Sequence, residues 1–393
     1  MTFKSVAFQS WICSNGLVSV TCSHFQTNFL MLRRSSGRYS APHLVNKIIG
    51  LKMKICVVGA GWYGCHVALS LLQKGVKVDV FERSDRSISG ASRYNQNRLH
   101  QGFHYPRDYE TRKQSLEGFD WFIEHYGNLV ATVSNNIYGI ADKVSNVDFE
   151  TYKQIMTASH LVYDDLVSSD IKSKFRNVSG MINTTEKLIL NHQASRYFDD
   201  VLSGHITYKK FVDLSDDEIV LDLKDKYDFI IDCTWGCARK IPEFDYYYEP
   251  CIYFYYKKKI KVEFSMTLMD GEFFSIYPYD GDIYTLTSVR NTPISKTYDK
   301  NCVGELFQSA KQESYITRKR ELFEEEVKSY YPEFLDDFEY LEPVFSLKTK
   351  LVSGTDYRGC MIAREGQLIS IFSGKIDTLH IAEQEIMKVI FGE

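Results

Sequence analysis

Residues 54–105 read KICVVGAGWYGCHVALSLLQKGVKVDVFERSDRSISGASRYNQNRLHQGFHY. The apolar run Ile55 to Val58 breaks at Gly59-Ala60-Gly61-Trp62-Tyr63-Gly64. A helical pattern follows, with Val67, Leu69, Leu71 and Leu72 on one face and its flank. Gly75 stops it, and a second strand-like run, Val76 to Phe81, ends on Glu82. The order is strand, glycine turn, helix, strand, acid, and each part has a physical role. Gly59 permits the tight turn. Gly61 lets a pyrophosphate approach the backbone, and Gly64 allows close packing of helix on sheet. The helix N-terminus offers free N–H groups and a partial positive charge. Glu82, 21 residues after Gly61, is placed to accept hydrogen bonds from ribose hydroxyls. The stretch predicts a dinucleotide site.

The 393 residues suffice for one large core or two domains. Net charge is −4; residues 1–52 carry six basic residues and no acid, so the remainder carries −10. An acidic body without a basic stripe argues against nucleic acid as a partner. Nine cysteines occur without paired CxxC spacing, and Cys233 with Cys237 lacks nearby histidines, so reduced thiols in an intracellular protein are expected and metal is not. Residues 1–52 hold no apolar run long enough for a membrane span. They read as a transit-like leader or as sequence ahead of a true start at Met53, and as poorly ordered in either case. The expected compartment is the cytoplasm, or a mitochondrion or other organelle if the leader is real.

Further along, 108–126 is expected to be helical, 129–140 strand, 146–168 helical in part, and 190–203 a helix from Asn191. Strand-like runs follow at Ile206–Val212, Glu218–Leu223 and Asp228–Thr234. From 249 to 289 the strands are aromatic and separated by Asp270-Gly271 and Asp280-Gly281, a hairpin signal. A charged helix is expected at 315–330, strands at 344–352, 359–363 and 368–372, a turn at Ser373-Gly374-Lys375, and a helix over 377–391.

Together GAGWYG with Glu82, the run KKFVDL…DFIIDCTWG and the late segment ISIFSGKIDT resemble the FAD-dependent oxidoreductases of the D-amino-acid oxidase and glycine oxidase (DAO) family. That resemblance implies an α/β flavoprotein. It would pair a Rossmann-like FAD-binding domain of the GR2 type (53–105, 176–242 and 345–393) with an inserted antiparallel-sheet substrate domain (106–175 and 243–344). It implies oxidation of a CH–NH or CH–OH group of a small substrate by hydride transfer to the flavin. By the same resemblance Gly59, Gly61, Tyr63, Gly64, Glu82, Arg83, Ser92, Asn97 and Arg98 are cofactor contacts. Val212 would meet the adenine, Thr234 the cofactor side of a strand end, and Gly374, Lys375 and Ile376 the ribityl chain or flavin. A non-redox, galactopyranose mutase-like enzyme and an NAD-dependent dehydrogenase are the alternatives.

Two departures matter. Trp235 stands where the family has a small residue. No Arg-Pro occurs in LKTKLVSGTDYRGCMIAREG, where an amino-acid oxidase anchors its substrate carboxylate. The unusual cluster is Asn95, Asn97, Arg98, His100, His104 and Tyr105. His100 is the candidate acid/base beside the flavin, and His104 reads as structural. The four-residue spacing of these histidines lacks a third ligand, so no metal is expected. Tyr277, with Tyr279 and Tyr284, and Arg290 are candidates on the substrate side. Lys348, Lys350, Arg358 and Arg364 are further candidate anchors for an anionic group.

Overall fold

The computed structural model describes residues 53–165, 167–260, 263–352 and 359–392. The leader and Arg358 lie outside them. Lys54–Val58 is a strand buried from Ile55 onward, as expected of a parallel strand covered on both faces. It lies inside a six-stranded sheet. Across the sheet the order is Met361–Glu365, Leu368–Phe372, Phe229–Asp232, Lys54–Val58, Lys77–Phe81 and Ile206–Thr207. The first pair is antiparallel and the rest are parallel. Helices Trp62–Gln73, Tyr109–Tyr126 and Leu379–Phe391 share one core with this sheet, through Leu71, Phe122 and Ile386 among others. Asp108 starts the second of these by accepting from Thr111 N–H at 2.7 Å.

An eight-stranded sheet forms the second layer. Its order is Phe338–Leu351, Tyr246–Lys258, Ile283–Ser288, Phe274–Asp280, Ser265–Met269, Asn136–Ala141, Val178–Thr184 and Tyr163–Asp164. All neighbours are antiparallel except Ser265–Met269 with Asn136–Ala141. Helix Glu313–Lys328 packs Phe323 and Val327 onto its apolar face. A small sheet of Arg98–Leu99, Lys187–Ile189 and Val130–Thr132 completes the architecture. Strand Phe338–Leu351 spans the expected boundary at 345. Val178–Thr184 and Phe338–Leu351 lie in the antiparallel sheet, whereas Tyr109–Tyr126 packs with the parallel one.

Three local expectations are corrected. Glu218–Leu223 is not a strand but part of helix Asp217–Lys226. The Asp216 side chain accepts from Glu218 and Ile219 N–H, acids fill the first turn and lysines the last, all of which favour helix. The strand from Ile206 ends at Thr207 because Lys209 turns the chain at φ +57°. The 129–140 run is two strands in different sheets, divided near Asn135 at φ +46°.

Candidate cofactor and active site

The glycine turn is built by contact with its neighbours. Gly59 adopts φ +96°, a region L side chains avoid, and its N–H donates to Phe81 O at 2.8 Å. A Cβ on Gly64 would lie 1.8 Å from the Gly59 carbonyl. Gly64 is therefore required by the turn itself more than by the sheet. Gly61 starts helix Trp62–Gln73 with no capping side chain of its own and no acid in the first turn, which leaves that terminus suited to an anion. Ser92 lies against it, its Oγ accepting from Trp62 N–H at 3.2 Å.

Glu82 is buried at the end of its strand. Its Oε2 accepts from Ala60 N–H at 2.7 Å and its Oε1 from Ser84 N–H at 2.9 Å. The carboxylate thus closes the glycine turn as well as facing the position where a ribose is expected. Arg83 beside it is exposed. Val212 packs with Val58 and Leu214 on this side of the sheet. Thr234, at the end of Phe229–Asp232, donates from N–H and Oγ to Asp232 Oδ1 at 2.8 and 2.6 Å. Trp235 follows at φ +58°, and its buried Nε1 completes no hydrogen bond.

The C-terminal turn meets the same region. The Tyr63 hydroxyl donates to Lys375 O at 2.5 Å and contacts Thr378 Oγ1 at 2.7 Å. Gly374 lies so close to Trp235 that a Cβ would come within 2.7 Å of the indole. Ile376 begins a short 3-10 turn. The Lys375 ammonium is held within the chain. It is buried against Asp377 Oδ2 at 3.1 Å, the Ser115 hydroxyl and the Tyr105 ring at 4.1 Å. Burial alone would lower its pKa, but Asp377 and Tyr105 raise it.

The segment from Ser92 to His104 links the glycine turn to the antiparallel sheet. Asn97, buried at φ +52°, accepts from Asn191 Nδ2 at 2.7 Å. The same Asn191 accepts from Trp62 Nε1 at 2.8 Å. Arg98 is fully buried. Its guanidinium donates to Tyr138 Oη at 2.8 Å and Ser275 Oγ at 3.1 Å and lies 3.9 Å over the Tyr277 ring. It is therefore seated on the sheet, not paired with the helix N-terminus.

Glu186 is the centre of this cluster. It accepts from Tyr138 Oη at 2.7 Å and Gln101 N–H at 2.8 Å. Arg98 lies 4.0 Å away and His100 Nδ1 3.6 Å away. Burial would raise its carboxyl pKa, but His100, Arg98 and Tyr138 bring it down to about 2. His100 keeps 18% of its side chain exposed. His104, 5.4 Å from it ring to ring, is driven well below the usual imidazole range by burial and by the neighbouring positive charges. Tyr277 is wholly buried.

The structure thus brings His100, Arg98 and Tyr277 together. It does not bring Arg290, which lies on the surface, 66% exposed and paired with Glu272 at 3.0 Å. That placement corrects its expected catalytic position. Lys350 pairs with Glu249 at 2.7 Å, and Arg364 donates to Gly366 O on an edge strand. Glu186, Tyr138 and Asn191 were not singled out in the sequence. Glu186 is one acid between two short strands, with no motif around it.

FAD fits these residues: a helix terminus with no capping side chain of its own behind a glycine turn, an acid at the second strand end, and a late turn bonded back to Tyr63. The family model described as DAO, FAD dependent oxidoreductase, matches residues 54–179. The FAD-dependent monooxygenase FPY4 of Fusarium mangiferae is 35% identical over 341 residues, covering 86% of this chain and 91% of the relative. The FAD-dependent monooxygenase kojA of Aspergillus flavus is 26% identical over 378 residues, covering 87% and 86%. Among solved structures, glycine oxidase from Geobacillus kaustophilus superposes with TM-score 0.61 at 12% identity, over 87% of this chain and 96% of that one. L-alpha-glycerophosphate oxidase from Mycoplasma pneumoniae, with FAD bound, gives 0.63 at 14%, over 86% and 94%. These matches support the flavin reading over the NAD-dependent dehydrogenase and galactopyranose mutase-like alternatives. Among the described residues no helix is long and apolar enough to cross a membrane. The chain belongs to the DAO family of FAD-dependent oxidoreductases.

Proposed function

We propose that this enzyme oxidises a CH–NH or CH–OH group of a small molecule, and that the reacting group meets His100 at the edge of the buried Glu186 cluster. The observation carrying this reading is the 92–104 segment. One end contacts the helix terminus through Ser92, and the other rests on the antiparallel sheet through Arg98. A substrate beside His100 would then lie between sheet and cofactor.

When bound, FAD accepts a hydride, and with it two electrons, from a C–H bond. The chain's own groups do the rest. The N–H groups after Gly61 would hold phosphate, Glu82 would hold ribose, and the backbone of Gly374, Lys375 and Ile376 would meet the ribityl chain or flavin. Val212 would meet the adenine, and Thr234 the cofactor side of its strand end. Glu186 faces His100 Nδ1 at 3.6 Å. A carboxylate there favours the tautomer with its proton on Nδ1, which leaves Nε2 to take the proton of a substrate hydroxyl or ammonium. Arg98 and Tyr277 shape the wall beside it.

The test is an absorbance spectrum of the purified protein, followed by anaerobic titration with amines and alcohols. Bleaching of bound FAD by members of one group, slowed at least about a hundredfold in His100→Asn, supports the reading. A protein that takes up no FAD, or whose FAD none of these reduces, refutes it.

A second reading comes from the relatives named monooxygenases. One atom of dioxygen would enter the product, and an external two-electron donor would be required. Labelled dioxygen distinguishes the two: label in the product means insertion, and its absence means simple oxidation. Location follows the N-terminus: cytoplasmic if the mature protein begins at Met53, mitochondrial or otherwise organellar if residues 1–52 direct it. Sequencing the mature N-terminus decides.

A further inference from the structure

Both faces of the inner strands of the antiparallel sheet are buried, yet they differ in chemistry. Along Phe274–Asp280 the side chains alternate, with Phe274 and Ile276 on one face and Ser275, Tyr277 and Tyr279 on the other. The register carries this pattern across neighbouring strands. Tyr277 pairs with Thr285, Thr285 with Tyr255, and Tyr253 with Val344, two residues before Ser346. The face of Phe254, Ile276 and Leu286 packs on Phe323 and Val327. The opposite face is a hydroxyl-bearing one, and the 94–98 segment crosses it. Gln96 Nε2 donates to Thr287 Oγ1 at 2.6 Å, and Arg98 reaches Ser275.

Four hydroxyls on this face, those of Tyr253, Tyr255, Tyr277 and Ser346, are buried and complete no hydrogen bond of good geometry, although Tyr253, Tyr255 and Tyr279 lie against one another and Tyr277 lies against Arg98. Each residue is at least nine-tenths buried. A buried hydroxyl without a well-placed hydrogen bond is costly, and Phe or Ala would fill the same space without that cost. Four such groups on adjoining strands indicate a ligand that supplies partners. The Tyr255 and Tyr279 rings, tilted against each other with centroids 4.5 Å apart, add an apolar surface suited to a ring face.

The charges beside the face indicate what kind of ligand. Arg98 is held by Tyr138 and Ser275 near Glu186, and Lys350 by Glu249. A carboxylate seeking Arg98 or Lys350 would have to break these pairs and would approach two buried acids, and Lys348 on the same face stands directly opposite Glu249 in the register. An uncharged molecule bearing hydroxyls meets no such penalty.

We propose that this face binds the substrate and selects an uncharged, hydroxyl-bearing ring rather than an α-amino or α-hydroxy acid. The assignment rests on the preceding reading, that substrate lies between this sheet and the flavin. Such a ring has two sources, a saturated cyclic polyol or a phenol, and both present the shared chemistry.

The experiment is calorimetric titration of the FAD-loaded enzyme with hexoses and inositol, with simple phenols, and with glycine, alanine and lactate. The expected result is heat of binding from one neutral ring family only, weakened about tenfold in each of Tyr277→Phe and Ser346→Ala. Thermal melts of the same variants without ligand guard against a trivial cause. Deleting an unpaired buried hydroxyl leaves the melting temperature unchanged or raises it, whereas deleting a structural hydrogen bond lowers it. Tightest binding by an amino or hydroxy acid overturns the assignment. So does unchanged affinity for the neutral ring in both variants, or a lowered melting temperature in both. Binding of the neutral ring without flavin reduction supports the class and counts against the redox reading instead.

Discussion

The Tyr63 hydroxyl donates to the Lys375 carbonyl at 2.5 Å, across 312 residues of sequence. It joins the first helix of the cofactor unit to the last turn of the chain. Tyr63→Phe removes this bond and the contact with Thr378, while Lys375 O keeps the Thr378 hydroxyl at 3.1 Å as a donor. The expected cost is therefore about 1 kcal/mol of stability. Faster loss of FAD should accompany it, because the turn is no longer held against the helix. Melts with and without added FAD, and the dissociation rate by flavin fluorescence, check both.

Glu82→Gln tests the acid at the strand end. Both carboxylate oxygens accept backbone N–H groups, and an amide supplies one acceptor and an unwanted donor. The protein should lose roughly 1.5–3 kcal/mol, the range for hydrogen bonds to charged groups. FAD affinity should fall more than about tenfold through the lost ribose acceptor. Equal FAD affinity in the variant would mean that Glu82 serves the turn alone.

Arg98→Met leaves Glu186 buried without its guanidinium neighbour at 4.0 Å. Breaking a buried pair by removing one partner costs about 3–5 kcal/mol. Arg290→Ala, by contrast, removes a surface pair and should leave the melting temperature within about 2 °C. Parallel urea titrations of both variants measure the contrast.

The titrations of Glu186 and His104 give stability a pH dependence of known sign. Folding depresses the Glu186 pKa from 4.5 to about 2. Its contribution is therefore complete above about pH 4.5 and is lost as pH falls toward 2. Folding also depresses the His104 pKa below 6.5. The unfolded chain then takes up a proton that the folded one refuses, so stability declines as pH drops below about 6.5. Glu186→Gln should flatten the lower window and His104→Phe the upper one, as read from unfolding free energies between pH 2 and 8.

The reading from Gly59 to Glu82 succeeded because every signal in it is local. The turn, the first helix turn and the acid lie within one strand–helix–strand unit. The same local logic failed at Glu218–Leu223. There an apolar run of four to six residues fits strand or helix alike, and the Asp216 cap decided for helix. Arg290 failed for a different reason. Position on the substrate-side sheet is legible in the pattern, but inward or outward direction at a strand's end is not.

The sequence by itself determined the strand–glycine turn–helix–strand unit and the aromatic antiparallel runs, through hydrophobic period, turn residues and spacing along the chain. The late segment was marked by its family resemblance. Only the tertiary structure decided the rest. It seated Arg98 on Tyr277, set Glu186 behind His100, turned the Lys375 ammonium onto Asp377, and left four tyrosine and serine hydroxyls buried on one face. These groups come from segments tens to hundreds of residues apart. Their charge and hydrogen-bonding state depends on burial and on the partner across the contact, neither of which is a property of a residue in its own stretch of chain.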